Sequence, residues 1–239
     1  MRAMPCAIAP MGKHWQMDAM SFRWIPNALT IARCVFAGLV LWGIWNAELA
    51  GQSVAAAGPD VLPDEVLRQN IMQQLWHQFA LLGFLSGALT DFLDGYLARR
   101  LQAQSRFGVW LDPIADKLLV GAALLGLAMV LKSWFIYLPA AAIIARDVFM
   151  TWLRTTPAGK AVVDPSDLAK WKTGFEMAAI IGLMLPLAFA PADLAGDATG
   201  STPLLFTVGA ALLVGMLWVA AALSLLTGWR YIRAARGSD

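Results

Sequence analysis

Long apolar segments alternate with short polar connections along the whole chain. A transmembrane α-helix needs about 20 consecutive, predominantly apolar residues. The pattern predicts six such spans, at about residues 26–45, 77–98, 109–131, 134–153, 173–191 and 204–228. We therefore expect an all-α, polytopic membrane protein with six transmembrane helices.

The segments between the spans differ in character. Residues 1–24 lack the apolar core and small-residue cleavage site of a secretory signal, so they are predicted to form a cytoplasmic or interfacial N-terminal segment. Residues 25–239 would then form one membrane domain. A polar, acidic connection is expected at 46–75, and a basic loop at 154–172.

The positions of lysine and arginine predict the orientation of the chain. These residues are concentrated in the N-terminal segment, the 99–107 and 154–172 loops and the C-terminal tail, whereas the alternate connections hold only Arg68 and Lys132. Cytoplasmic loops carry the excess of Lys and Arg. An even number of spans with both termini in the cytoplasm fits this distribution.

Composition supports the membrane class. The chain of 239 residues is 59% hydrophobic and 14% charged, whereas soluble domains average about 25% charged residues. Its net charge of +2 gives no indication of a nucleic-acid partner. Cys34 lies in an apolar span, so a structural disulfide with Cys6 is not expected, and the two histidines are isolated.

Four aspartates lie in or beside the second and third spans: Asp91, Asp94, Asp112 and Asp116. Each aspartate at the centre of a spanning helix costs about 2.5–3.5 kcal/mol, so the group needs a strong partner. Spacings of three and four residues place each pair on one helix face. If the two helices are antiparallel neighbours, they form a four-carboxylate cage suited to Mg²⁺ or a similar hard cation.

Other residues near the aspartates suit a phosphate ligand. Gly95 and Ala98 leave open space beside the cage, and Arg99 is able to bind a phosphate with two parallel hydrogen bonds. Divalent cations, arginine and open space together indicate a phosphate-handling site.

Simpler interpretations exist for each residue taken alone. Asp112 is also consistent with a helix N-cap before Pro113, and Asp116 with a local ion pair to Lys117. The small residues Gly83 and Gly87 are spaced to seat a neighbouring helix of the same chain or of a second subunit. The full set of spacings is not explained by these interpretations.

The motif resembles that of a known family. The pattern D-x2-D-G-x2-A-R-x8-G-x3-D-x3-D is met without a gap by Asp91, Asp94, Gly95, Ala98, Arg99, Gly108, Asp112 and Asp116. It is similar to the signature of the CDP-alcohol phosphatidyltransferases. Further likeness to the bacterial phosphatidylglycerophosphate synthases of this family lies in residues 25–33, 105–108, 111–117 and 168–173.

The resemblance implies a six-helix enzyme of the bacterial inner membrane, usually a homodimer, with its active site facing the cytoplasm. By this likeness, Asp91, Asp94 and Asp112 bind two divalent ions, Mg²⁺ or Mn²⁺, with Asp116 beside them. Asp116 would also act as general base. The residues expected to hold CDP-diacylglycerol are Asp91, Gly95, Ala98, Arg99, Gly108 and Asp112.

The implied reaction transfers a phosphatidyl group from CDP-diacylglycerol to the hydroxyl of an acceptor alcohol, with release of CMP. The expected acceptor is glycerol 3-phosphate. Arg146 is an intramembrane cation and thus a functional candidate; with Lys170 and Lys172 it is predicted to hold the acceptor phosphate. A buried pair of Arg146 with Asp147 is the alternative, although neighbouring residues point about 100° apart on a helix. Lys170 and Lys172 are equally consistent with ordinary positive-inside charges.

Two departures from the resembled group leave the acceptor open. Glycerophosphate-using relatives usually carry glutamate after the arginine, whereas this chain carries Asp147 after Arg146, as the cardiolipin synthases of the family also do. The 46–75 connection is also longer than usual. Phosphatidylglycerol is therefore the alternative acceptor. An ion-coupled transporter is the competing function of another class, but it predicts discontinuous helices in two related halves, which the pattern lacks.

Overall fold

The structure is a computed structural model that describes residues 25–56, 63–101, 106–155, 167–189 and 204–236. Side chains are described for residues 28–53, 64–93, 114–153, 171–189, 204 and 206–233. The helices are α1 (Ile25–Ala56), α2 (Pro63–Leu101), α3 (Arg106–Leu131), α4 (Trp134–Thr155), α5 (Asp167–Phe189) and α6 (Leu204–Arg236). The described ranges contain no strand, so the predicted all-α class is confirmed.

Five of the six helices contain a segment long and apolar enough to cross a membrane: Ala28–Ser53, Ile114–Leu131, Trp134–Leu153, Trp171–Phe189 and Phe206–Arg233. Helix α2 has no such segment within residues 64–93, where its side chains are described, and the predicted span 77–98 continues beyond them. Polar residues, including Gln74, His77 and Gln78, interrupt its apolar run and lower its mean hydropathy. By length and composition, the described helices support five of the six predicted spans.

The first two helices extend further than the sequence pattern predicted. The prediction of a polar connection at 46–75 is wrong over most of that range, because α1 continues to Ala56 and α2 begins at Pro63. Helix α1 has 32 residues and α2 has 39, which correspond to about 48 and 58 Å at 1.5 Å per residue. Both exceed the hydrocarbon thickness of about 30 Å. A hydrophobicity window detects only the apolar part of such helices.

The basic loop predicted at 154–172 is shorter than expected, because α4 ends at Thr155 and α5 begins at Asp167. The N-terminal segment 1–24 and the centres of the 99–107 and 154–172 connections lie outside the described residues. The difference again lies at helix ends, where polar residues continue a helix beyond its apolar part.

Helix α1 packs against both α2 and α3, α5 packs against α6 and α2, and α4 lies between α3 and α6. The predicted role of the two small residues on α2 is confirmed within the chain. A Cβ added at Gly83 would lie 3.4 Å from Val40 Cγ2 of α1, and one at Gly87 would lie 2.7 Å from Leu119 Cδ2 of α3. Small residues thus let α2 approach two neighbours at once.

A short connection fixes the relation of α3 to α4. Only Lys132 and Ser133 separate the two helices, and Lys132 has a positive φ of 45°. Such a connection makes the helices antiparallel neighbours. Lys117 lies 14 residues before the last residue of α3 (131 − 117), and Asp147 lies 13 residues after the first of α4 (147 − 134), so both occupy the same depth.

The close packing of α1 against α2 at Gly43 can be tested by substitution. A Cβ at Gly43 would meet Phe79 Cδ1 at 3.0 Å, Ala80 Cβ at 3.1 Å and the backbone nitrogen of Ala80 at 3.2 Å. Because the backbone cannot move aside, we expect Gly43→Ala to destabilise the protein by about 1–3 kcal/mol. Thermal unfolding of the purified protein in detergent measures this change.

Gly38→Ala is the matched control on the same helix, because nothing lies within 4 Å of its added Cβ. Alanine is the better helix former, so this control is expected to be neutral or stabilising by less than about 1 kcal/mol. Equal melting temperatures for Gly43→Ala and Gly38→Ala would contradict the close approach of α1 and α2.

Candidate functional site

Two of the four predicted aspartates have described side chains, Asp91 on α2 and Asp116 on α3. Asp91 lies near the end of α2 with 49% of its side chain exposed, and Asp116 is partly buried on α3. The negative charge of Asp91 acts on the Asp116 carboxyl, so the two groups are electrostatic neighbours. We call them the carboxylate pair. One aspartate from each of the two helices thus acts electrostatically on the other, while the predicted four-carboxylate cage stays a prediction.

The donor chemistry of this pair suits a divalent cation. Carboxylate oxygens are the ligands that Mg²⁺ prefers, and like charges held close together are stabilised by a cation between them. Among the described side chains, no group of three or more His, Cys, Asp or Glu residues is close enough to hold a metal ion. The side chains of Asp94 and Asp112, which the predicted cage also needs, lie outside the described part.

The backbone places the other motif residues on the same two helices. Asp94, Gly95, Ala98 and Arg99 belong to α2, and Gly108 and Asp112 belong to α3, with their side chains outside the described ranges. The interpretation of Asp112 as an N-cap is wrong, because α3 begins six residues earlier at Arg106. The carboxylate of Asp112 is therefore not required to cap the helix.

An arginine from α1 reaches the carboxylate pair. Arg33 is 1% exposed, and its Nη1 lies 3.0 Å from Oδ1 of Asp91. The charge of Arg33 also acts on Asp116. Arg33 therefore forms an ion pair with Asp91, which joins α1 to α2, and acts on Asp116 of α3 through its charge. Arg33 lies in the stretch 25–33 that resembles the bacterial phosphatidylglycerophosphate synthases, but its sequence context predicted no role for it.

A second group of charged residues lies beside the pair. Asp147 on α4 accepts contacts from three cations: Lys117 Nζ lies 3.4 Å from Oδ2, while Arg146 Nη1 at 2.8 Å and Lys172 Nζ at 3.0 Å contact Oδ1. Lys172 Nζ also lies 3.4 Å from Glu176 Oε2. We call these five residues the Asp147 cluster. It joins α3, α4 and α5.

Two alternatives considered for these residues are now decided. Arg146 does pair with Asp147, contrary to the expectation from helical geometry, because the long arginine side chain bends back to its neighbour. The local pair of Asp116 with Lys117 is also not the observed ion pair, since Lys117 pairs with Asp147 instead. In both cases side-chain length outweighs the angle between Cα–Cβ bonds.

Arg146 also connects α4 to α6. Its Nε donates to the carbonyl oxygen of Ser224 at 3.1 Å, and its Nη2 donates to Oγ1 of Thr227 at 3.0 Å. A Cβ at Gly228 would lie 3.4 Å from Cγ of Arg146, so glycine allows α6 to pass close by. Arg146 is thus held by three partners on two helices, and its guanidinium is fixed in orientation.

The Asp147 cluster carries an excess positive charge when its members have their ordinary ionisation. Three cations face two carboxylates, which leaves +1 among the five described side chains. Lys172 and Glu176 are buried. Burying an uncompensated charge is costly, so a net positive cluster favours an anionic ligand. The side chain of Lys170, the third predicted acceptor residue, lies outside the described part.

An apolar groove of about 620 Å³ runs beside Arg146 between α4 and α6. Its walls include Ala142, Ala145 and Phe149 of α4 and Leu225, Trp229 and Ile232 of α6. Several of these side chains are exposed on helices that are long and apolar enough to span a membrane. The groove thus offers an apolar surface next to the Asp147 cluster.

Sequence reasoning missed several members of this site. Arg33, Asp147 and Glu176 were not assigned as site residues, and neither was Lys117. The rule that selected Arg146, which treats an ionisable residue inside a span as functional by default, applies equally to Arg33 and Glu176. The partners Ser224 and Thr227 carry no such signal, because hydroxyl residues are common in membrane helices.

Comparison with known proteins identifies the family of this chain. The family profile described as CDP-alcohol phosphatidyltransferase matches residues 23–229. A CDP-diacylglycerol–glycerol-3-phosphate 3-phosphatidyltransferase of Cereibacter sphaeroides is 38% identical over 184 residues, which cover 66% of this chain and 81% of that protein. The proteins of the same name from Sodalis glossinidius and Yersinia pestis are 37% and 44% identical over 156 and 104 residues.

These alignments cover 64% of this chain and 76% of the Sodalis protein, and 42% of this chain and 57% of the Yersinia protein. The profile match runs from the start of α1 to near the end of α6 and includes both the carboxylate pair and the Asp147 cluster. The resemblance predicted from the aspartate motif is confirmed, and the chain belongs to the CDP-alcohol phosphatidyltransferase family.

Proposed function

We propose that this protein transfers a phosphatidyl group from CDP-diacylglycerol to the hydroxyl of glycerol 3-phosphate and releases CMP. The observation that carries the proposal is the adjacency of two carboxylates, Asp91 and Asp116, to a cluster with excess positive charge. Lys117 follows Asp116 directly in the chain and belongs to the Asp147 cluster. The names of the relatives support the same reaction and the same acceptor.

The reacting groups assign a role to Asp116. The acceptor hydroxyl oxygen attacks the phosphorus that carries the diacylglycerol, and the bond from this phosphorus to the bridging oxygen of CMP breaks. Asp116 takes the hydroxyl proton, and CMP leaves with the bridging oxygen. A carboxylate is able to act as general base when it lies within hydrogen-bond reach of the hydroxyl.

The aspartates fit a divalent-cation site by the chemistry of their oxygen donors. Asp91, Asp94, Asp112 and Asp116 would hold two ions, Mg²⁺ or Mn²⁺. When bound, such ions neutralise the pyrophosphate and the charge that develops on it. Asp91 and Asp112, together with Gly95, Ala98, Arg99 and Gly108, would hold the cytidine diphosphate part of the lipid. Glycine and alanine let a flat group approach the backbone, and Arg99 would bind phosphate.

The Asp147 cluster would receive the phosphate of the acceptor. Lys172 and Lys117 would contact it directly, together with Lys170 from the same turn of α5 as Lys172. Arg146 was predicted to do the same, but its three hydrogen bonds suit it better to keep Asp147 and α6 in place. The proposed acceptor site thus uses lysines for binding and Arg146 for support.

The location of the reaction follows from the lipid substrate. The apolar helices indicate an integral membrane protein. The distribution of Lys and Arg supports cytoplasmic termini and an active site that faces the cytoplasm at the bacterial inner membrane. A homodimer is the proposed assembly, on the family resemblance alone.

The groove beside Arg146 favours a second acceptor. An acceptor that is itself a lipid, such as phosphatidylglycerol, needs an apolar path for its acyl chains, and the groove between α4 and α6 supplies an apolar surface at the Asp147 cluster. The reaction would then form cardiolipin by the same chemistry. The choice between the acceptors depends on whether the acceptor reaches the cluster from water or from lipid.

The deciding experiment is an assay of CMP release from CDP-diacylglycerol by the purified protein with Mg²⁺ or Mn²⁺. We expect release that depends on glycerol 3-phosphate and ends when the ions are chelated. Release with phosphatidylglycerol but not with glycerol 3-phosphate would replace the acceptor and keep the reaction. No release with either, from protein that unfolds cooperatively, would reject the proposed function and favour a transporter.

A further inference from the structure

The buried arginine of α1 stands in an unusual place for a positive charge. Arg33 is among the largest fully buried side chains, with 1% of its surface exposed. One turn earlier, Thr30 is fully buried on the same face, so this part of α1 is enclosed by its neighbours. Burying a guanidinium costs several kcal/mol unless its partners compensate. The partners of Arg33 must therefore account for its presence.

Among the described side chains, two carboxylates compensate for this charge. Nη1 of Arg33 lies 3.0 Å from Oδ1 of Asp91, and the charge of Arg33 also acts favourably on the ionised form of Asp116. Asp91 acts on Asp116 in the opposite sense, by repulsion. Without a cation, the repulsion would push the ends of α2 and α3 apart. Arg33 supplies that cation from a third helix.

We propose that Arg33 is the resident counter-charge of the carboxylate pair, a positioning residue that holds Asp91 and Asp116 together before a divalent cation binds. The ion pair uses Oδ1 of Asp91, and 49% of the Asp91 side chain remains exposed, so the carboxylate stays accessible to a ligand. The site is thereby assembled in advance of its ligand, and Arg33 and the divalent cation share the same negative charges.

This inference rests on the proposed function only in taking the carboxylate pair as part of a divalent-cation site. A ligand that binds only the folded state stabilises it, and tighter binding gives a larger effect. If Arg33 competes with the cation for the pair, its removal should lower stability without Mg²⁺ and increase the stabilisation that Mg²⁺ provides. A purely structural ion pair has no such coupling to Mg²⁺.

The test compares thermal unfolding of the full-length protein and Arg33→Met in detergent, with chelator and with saturating Mg²⁺. Methionine keeps much of the length and the apolar stem. We expect Mg²⁺ to raise the Tm of Arg33→Met by roughly 5 °C more than it raises the Tm of the unsubstituted protein. Arg68→Met is the control, because Arg68 forms an exposed pair with Glu65 far from the carboxylates along α2. This control should keep the original response to Mg²⁺.

A double variant distinguishes charge from packing. In Arg33→Met with Asp91→Asn both members of the ion pair are neutral, so we expect its Tm without Mg²⁺ to recover above that of Arg33→Met and its response to Mg²⁺ to fall. Arg33→Lys, which keeps the charge, should retain a small response. Protein of Arg33→Met that folds only with Mg²⁺ would support the proposal equally.

An equal loss of Tm with and without Mg²⁺ in Arg33→Met, without recovery in the double variant, would overturn the counter-charge role. The CMP-release assay on the unsubstituted protein is a separate measurement. Its failure, alongside the expected Mg²⁺ response, would reject the proposed function and leave the role of Arg33 intact.

Discussion

Replacing Asp116 by asparagine is expected to reduce kcat for CMP release by about 10²–10⁴-fold, because the amide cannot take the proton from the acceptor hydroxyl. Asparagine has nearly the same shape as aspartate, so the helix and its packing should persist. Neutralising Asp116 also removes the repulsion that Asp91 exerts on it. We therefore expect the variant to remain folded, with a Tm no lower than that of the unsubstituted protein.

The measurement combines CMP release, at saturating CDP-diacylglycerol and acceptor, with thermal unfolding of the same preparations. Asp64→Asn is the matched control, because Asp64 is an exposed carboxylate in the first turn of α2. This control should keep its full rate. A rate for Asp116→Asn within a few-fold of the unsubstituted protein would exclude Asp116 as the general base.

Replacing Asp147 by asparagine is expected to cause the largest loss of stability of any substitution considered for this protein. The carboxylate contacts Lys117, Arg146 and Lys172 from three helices, and its side chain is 11% exposed. Removing one partner of a buried ion pair typically costs about 3–5 kcal/mol, because the remaining charge is uncompensated. In Asp147→Asn the three cations would face Glu176 alone within the cluster.

Thermal unfolding in detergent measures this loss, which corresponds to a fall in Tm of roughly 10 °C for a chain of this length. Glu65→Gln is the control, since its pair with Arg68 is exposed and worth at most about 1 kcal/mol. Adding Lys172→Met to Asp147→Asn removes one of the uncompensated cations and should restore part of the Tm. A Tm for Asp147→Asn equal to that of the control would show that the cluster does not hold these helices together.

The sequence predicted the helical class correctly because that class depends on local patterns, whereas the predicted site residues stay a prediction. Each of the six described helices contains all or most of one predicted apolar run, and Asp91 acts electrostatically on Asp116. Helix ends were less well predicted. The polar ends of α1 and α2 are helical although they are not apolar, and hydropathy alone does not detect them.

The contacts within the Asp147 cluster could not be predicted from patterns within single helices. Arg146 and Lys172 were predicted to bind the acceptor phosphate, whereas their common partner Asp147 was considered only as an alternative partner of Arg146, weakened by the angle between adjacent residues on a helix. A long, flexible side chain is not restricted to the direction of its own Cα–Cβ bond. Which charges meet depends on which helices pack together.

What the sequence determined by itself is therefore the membrane class, the aspartate motif and the chemistry that the motif favours, since these follow from residue types and spacings within single helices. Only the tertiary structure decided that Arg33 of α1 lies against Asp91, and that Asp147 joins α3, α4 and α5. These contacts connect residues 58 (91 − 33), 30 (147 − 117) and 25 (172 − 147) positions apart. No periodicity within one helix specifies them, because helix packing sets the distance between their side chains.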